Sequence, residues 1–411
     1  MLLALATLLT APAHAFDFES LKRLIIDERT TELSDVVGKL PADLRRNSTF
    51  VFESGGDQQA DPLKPRAILW SEPGKFALAF NGGQGQLNGN TLEMWQYSSS
   101  EKRFHFYRLS FPLNRRADGR PDVQVEEPKL CLSCHGQNPR PIWSEYPTWP
   151  GTYGSDDDFA PAANKESERY KAFADSAMKH PRYAPLFAAK PANLSVADQP
   201  FYPYRFDQKA DTAAESLAFY YRPNLRFSVL LTRLNVERVF EQIRKNPLYA
   251  RERDKWLAGF LNCPRSMSFD GLLKETGVSK RDLDPRYMAD DSSSESITAE
   301  TAYFDGAATV NEYLASLLFA DAAASRPELK AAYAPKSFNT KYRSRQKRNL
   351  LDRPYFNLMD ALDAPSSWIA IPYPKGDFKK RHRSIFMPQD QEAYEAACAA
   401  LGAPLTPSSS K

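Results

Sequence analysis

The stretch AILWSEPGKFALAFNGGQGQLNGNTLEMWQYSSSEKRFHFYRLSF, residues 67–111, decides the fold of the first half of the chain. It contains short aromatic or aliphatic runs at 67–70, 76–80, 91–97 and 103–111. Turn-forming residues separate these runs: Glu72-Pro73-Gly74, Asn81-Gly82-Gly83 and Ser98-Ser99-Ser100. Runs of this length between such turn signals predict consecutive antiparallel strands, so we expect a meander that ends near Pro112.

Helical patterns flank this strand-rich stretch. One helix is predicted over 18–27, and an apolar stripe at helical spacing predicts another around Tyr170–Met178. Further helices are predicted at 227–245, 251–261, 308–324 and 389–401. The proline-rich and aromatic-rich segment 129–161 is expected to lack regular secondary structure. We therefore expect an α+β fold with three parts after a leader at 1–15: an antiparallel strand-rich domain (16–127), an irregular segment with the first helix (128–205) and a helical domain (206–411).

Composition and the first residues bear on compartment and partners. The 411 residues are 42% hydrophobic and 26% charged, which is typical of a globular protein. The 54 basic and 51 acidic side chains leave a net charge of +3, too balanced for a dedicated nucleic-acid-binding protein. The apolar run Leu2–Leu9 followed by Ala13-His14-Ala15 predicts an export signal. No later stretch approaches the ~20 apolar residues of a membrane span. We expect a periplasmic or secreted bacterial protein that begins at Phe16.

The most specific chemical signal is Cys131-Leu132-Ser133-Cys134-His135, the C-x-x-C-H pattern of covalent haem attachment. At this spacing both sulfurs can bond one porphyrin edge while the adjacent imidazole ligates the iron. A zinc knuckle would need a second Cys or His pair nearby, and a thioredoxin-like pair would need a strand-to-helix setting. We therefore predict one covalent haem c. The alternative is a haem-free secreted envelope or interaction protein in which Cys131 and Cys134 form a structural disulfide.

A resemblance adds to this prediction. The stretch from Cys131 to Gly136 resembles the attachment segment of c-type cytochromes, and its continuation to Gly154 is similar to large exported bacterial cytochrome c-like proteins. The resemblance implies thioether links at Cys131 and Cys134 and a proximal iron ligand at His135, and it implies no particular reaction. The motif follows strands in the middle of a long chain, whereas small class I cytochromes carry it on their first helix. This departure puts a simple electron carrier in doubt.

The sequence leaves the second axial ligand of the iron undecided. The candidate ligands are His105, His180, His382 and Met178, and the alternative is that the position is unfilled. Each has an ordinary structural interpretation, such as core packing for Met178 or a helix end for His180. Two strong ligands would favour electron transfer, and a vacancy would permit chemistry on peroxide, oxygen or nitric oxide. Whether the chain is a haem-dependent oxidoreductase therefore stays open. Arg140 is interpreted either as a partner of a haem propionate or as a surface arginine between prolines.

Two further features concern stability and partners. Cys263 and Cys398 are expected either to form a disulfide or to remain two buried thiols. The basic clusters Lys341–Arg348 and Lys379–Arg383 either dock an acidic redox partner protein or are simply solvated.

Overall fold

A computed structural model describes residues 16–53, 59–71, 74–83, 85–129, 131–142, 151–153, 163–189, 306–332 and 391–402, together with 227–283 except 228, 229, 232, 262 and 264. Its sheet is a five-stranded antiparallel meander in which each strand pairs with the next along the chain. The strands are β1 (Ser48–Val51), β2 (Arg66–Trp70), β3 (Phe76–Phe80), β4 (Thr91–Ser98) and β5 (Arg103–Ser110). With the helices described below, the fold is α+β, as predicted from the sequence.

Four of the five strands coincide with the apolar runs of the sequence, and β1 is the strand that the prediction missed. β1 is only four residues long, and its pairing with β2 sets Ser48 opposite Leu69 and Val51 opposite Arg66. Its connection to β2, residues 52–65, is longer than the turns that separate the other predicted strands. β1 is stabilised by its pairing with β2, and this pairing between distant segments cannot be recognised from the local sequence of β1.

The sheet buries side chains on both faces. Because successive side chains of a strand alternate, each strand contributes to both faces. Face A is the side of Phe50, Leu69, Leu78, Met94 and Leu109, which belong to the first hydrophobic core. Face B is the side on which the strand register aligns Trp70, Ala77, Trp95 and Phe106 in one row across β2 to β5. Two different groups of helices cover these faces.

The helices on face A come from both ends of the first half of the chain. They are α1 (Phe18–Asp27), α2 (Leu33–Lys39), α3 (Ala42–Arg46), α5 (Ala163–Ala177) and α6 (Ala184–Ala188). Asp17 begins α1, because its Oδ1 accepts a hydrogen bond of 2.8 Å from the Ser20 N–H. Tyr170, Phe173 and Leu186 of α5 and α6 belong to the same core as the sheet. The predicted helices at 18–27 and around Tyr170 are confirmed, and α2 and α3 were not predicted.

Every regular element described after Ala163 is a helix. The later ones are α7 (residues 233–244, with 227, 230 and 231 also helical), α8 (Tyr249–Phe260), α9 (Phe269–Thr276), α10 (Lys280–Leu283), α11 (Gly306–Ser325), α12 (Pro327–Ala332) and α13 (Gln391–Ala400). Phe227, Leu230, Leu231 and Leu234 pack on face B. The remaining helices share a separate core. Within it Cys263 and Cys398 form a disulfide, with 5.6 Å between their Cα atoms.

Several predictions fall on residues outside the described ranges. These are the export signal, the boundary at 205, both basic clusters with His382, and the aromatic residues Trp143, Tyr146 and Trp149. None of the helices within the described ranges combines the length and apolar character needed to cross a membrane.

Candidate functional site

The C-x-x-C-H motif forms a single helical turn, α4 (Cys131–His135). The turn begins where the Cys131 N–H donates to the Pro128 carbonyl at 2.9 Å. It ends at Gly136, whose φ of +82° is the left-handed conformation that glycine tolerates best. The expectation that 129–161 lacks regular structure is wrong at this point. Five residues are too few for an apolar stripe to predict a helix. The local signal that the prediction missed is Gly136, the glycine that ends the turn.

The two motif thiols are unbridged and differ in exposure. Cys134 is exposed, and Cys131 is half-buried against the sheet. Burial raises the pKa of the Cys131 thiol, and the negative charge of Glu93 acts in the same direction. Three residues apart on one turn, the two side chains lie on the same side of α4.

The His135 imidazole is held by a hydrogen bond through Nδ1. Nδ1 lies 2.7 Å from the carbonyl oxygen of Arg140. A carbonyl can only accept, so Nδ1 carries the proton and Nε2 carries the lone pair. The chain returns to the helix to make this contact, since the Arg140 N–H also donates to the His135 carbonyl at 3.3 Å.

Protein atoms surround the imidazole, although part of the residue remains accessible. Burial lowers the pKa of His135 to about 4, opposed by the hydrogen bond to Arg140 and assisted by the Arg140 positive charge. The ring is therefore neutral at neutral pH, with Nε2 free to act as an acceptor or a ligand.

Arg140 is not a surface residue, which corrects one of its two interpretations. Only 5% of the residue is exposed. One guanidinium nitrogen, Nη1, donates to the Pro141 carbonyl at 3.2 Å. The backbone of Arg140 serves His135 directly, whereas a contact between its guanidinium and a propionate stays a prediction.

Charged residues of face B lie beneath Cys131. Glu93 of β4 stands opposite Arg108 of β5 in the register and forms an ion pair with Arg66 of β2. The Arg108 Nε donates to Glu126 at 3.1 Å. Positive and negative groups therefore alternate across this end of the sheet, so the floor of the site is polar and close to electrically balanced.

The structure does not bring the described distal-ligand candidates to His135. His105 is on face A, because its neighbour Phe106 points to face B, and its Nε2 lies 3.1 Å from Glu101 Oε2. His180 contacts Tyr183 of the face A core, with ring centroids 4.8 Å apart. Met178, directly after α5, is 59% exposed, so its interpretation as a core residue is wrong. Within the described ranges, no three His, Cys, Asp or Glu side chains converge to hold a metal ion by themselves.

Phe106 is the site residue that the sequence interpretation missed. Its ring lies 4.4 Å from the His135 ring, centroid to centroid, with 33° between the planes. The alternation of β5 carried the relevant signal, since Phe106 and His105 must point to opposite faces. The partner of a face B residue, however, depends on where the chain returns 29 residues later, which no local pattern reports.

Comparisons with known proteins add no relatives: no family model, no curated protein and no solved structure matches the chain.

Proposed function

We propose that the chain is an exported protein carrying one covalent haem c, with electron transfer or haem-based redox chemistry as its activity. The proposed architecture is a strand-rich N-terminal part, an attachment segment and a mostly helical C-terminal part. One observation carries the proposal: the His135 Nδ1–H donates to the Arg140 carbonyl at 2.7 Å beside two unbridged thiols on one helical turn.

The thiols meet two requirements of thioether formation. Each sulfur has to be reduced and reachable by a vinyl group, and neither Cys131 nor Cys134 is bridged. Cys134 is exposed and Cys131 is half-buried, and these two residues would hold the group through their sulfurs. Their common side of α4 supports attachment to a single group.

His135 meets the requirements of a proximal ligand. Ligation needs a neutral ring with a free lone pair, which agrees with a pKa of about 4. The hydrogen bond from Nδ1 to a backbone carbonyl selects the tautomer and makes Nε2 more basic, as is usual for metal-ligating histidines. When bound, the haem would supply a one-electron iron couple.

The compartment and the partner belong to the same proposal. The Cys263–Cys398 disulfide supports a periplasmic or secreted location, because disulfides persist in oxidising compartments. A redox partner protein would exchange electrons at the solvent-facing edge of the attachment site, where Cys134 is exposed.

Attachment is tested on the full chain, produced with its own leader in a bacterium that has haem c maturation machinery. Intact mass and pyridine haemochrome absorbance should report one haem per wild-type chain. The Cys131→Ser/Cys134→Ser double variant should carry none. The matched control, Ser133→Ala, changes a side chain of the same helical turn but leaves both thiols in place, and it should keep its haem. Wild-type protein with the mass of the bare polypeptide would refute the proposal.

A second measurement separates the possible activities. Rapid CO binding by the ferrous protein would favour ligand or peroxide chemistry, and a six-coordinate spectrum that resists CO would favour electron transfer. A colourless, folded protein with Cys131 bridged to Cys134 would instead support the haem-free alternative.

A further inference from the structure

Phe106 approaches His135 from a part of the fold remote from α4. It lies near the middle of β5 and points to face B. Its ring centroid is 4.4 Å from that of His135, and the planes are inclined by 33°, so the phenyl ring covers one side of the imidazole.

The sheet determines the position of Phe106. The register sets Phe106 directly opposite Trp95 of β4, and Phe106 packs against the buried cluster on face B that contains Trp95 and Phe104. Trp95 in turn contacts Phe104, with ring centroids 5.3 Å apart. Because Trp95 restricts Phe106 from the side of β4 and the buried cluster supports it from below, the phenyl ring has a defined position against the imidazole.

The hydrogen bond to Arg140 leaves one motion of the imidazole unrestrained. A single Nδ1–H···O contact selects the tautomer and the distance, but the ring can still tilt about the line joining Nδ1 to the carbonyl oxygen. A phenyl ring against the imidazole face opposes that tilt. Arg140 and Phe106 together therefore restrict both the tautomer and the plane of His135.

We propose that Phe106 is a positioning residue that sets the plane of the His135 imidazole, and with it the direction in which Nε2 faces the haem iron. This inference rests on the proposed function. In this inference the sheet fixes the plane of the imidazole. The motif cannot do so alone, since none of the five residues of α4 covers the imidazole face from the side of the sheet.

The first test uses haem-free protein labelled with ¹⁵N-histidine. The mature chain has four histidines, and His135→Ala assigns the relevant signal. Loss of an aromatic pair raises the population of the state in which the imidazole is released by about two- to tenfold. Phe106→Leu should therefore speed exchange of the His135 Nδ1–H by that factor. Phe106→Tyr keeps the ring and should restore the wild-type rate. Phe80→Leu, which removes a fully buried ring from the opposite face of the sheet, should leave the rate unchanged.

The second test uses the haem-loaded protein. Wild type, Phe106→Tyr and Phe80→Leu should each give one sharp set of ferric EPR g-values. Phe106→Leu should give a broadened or second set together with a shifted reduction potential. Haem-loaded wild type with an unaltered Phe106→Leu spectrum and exchange rate would overturn the inference alone. Wild type without haem would overturn the proposed function and this inference with it. If Phe106→Leu is the one variant that acquires no haem, its Nδ1–H exchange rate in the haem-free protein tests the inference: faster exchange supports it and an unchanged rate overturns it.

Discussion

The haem-free protein should lose stability through His135 as the pH falls from 6.5 to 4. An unfolded histidine binds its proton near pH 6.5, whereas burial lowers the pKa of folded His135 to about 4. Below pH 6.5 the unfolded state therefore binds more protons, and stability falls with falling pH until the folded ring is also protonated. The difference between 6.5 and 4, at about 1.4 kcal/mol per pH unit, corresponds to about 3.5 kcal/mol in full, of which about 3 kcal/mol is lost by pH 4.

Urea unfolding from pH 7 to pH 4 measures this loss against His135→Asn, whose side-chain amide can still donate to the Arg140 carbonyl but does not titrate. The stability of wild type relative to this variant should fall by about 3 kcal/mol over the range. Ser133→Ala, in the same helix, alters no titrating group and should follow wild type. An NMR titration should find the imidazole half-protonated near pH 4. A stability difference that does not vary with pH, or an imidazole that titrates near 6.5, would refute the burial argument.

Two further predictions test parts of the fold away from the site. Replacing Cys263 and Cys398 by Ser should lower the free energy of unfolding by about 5 kcal/mol, the chain-entropy value for their separation of 135 residues. Urea unfolding of wild type with and without reductant should show a loss of similar size, and identical curves would contradict the bond. Gly82→Ala should cost about 1–3 kcal/mol because a methyl group there would overlap the Tyr183 hydroxyl. Gly85→Ala meets open space and should be close to neutral; equal melting temperatures for the two variants would count against the packing described.

Much of the secondary structure could be predicted locally. The turn signals around 72–74 and 81–83 separate β2, β3 and β4 because glycine and proline favour the backbone conformations of turns. The helical stripe around Tyr170 was equally readable, since buried residues recur with the helical period. The short elements were missed: β1 and α4 have too few residues for a period to be recognised, and each is completed by contacts with other parts of the chain.

The sequence by itself determined which reactive groups are adjacent, because Cys131, Cys134 and His135 lie within five consecutive residues wherever that segment lies in the fold. It also determined the order of β2 to β5, since turn signals separate these consecutive antiparallel neighbours. Only the tertiary structure decided what surrounds those groups. Strand alternation turns His105 away from His135 and turns Phe106 towards it, and the return of the chain buries Arg140 behind the imidazole. These outcomes depend on register and packing between distant segments, whose free energies are set by partners that no local stretch of sequence contains.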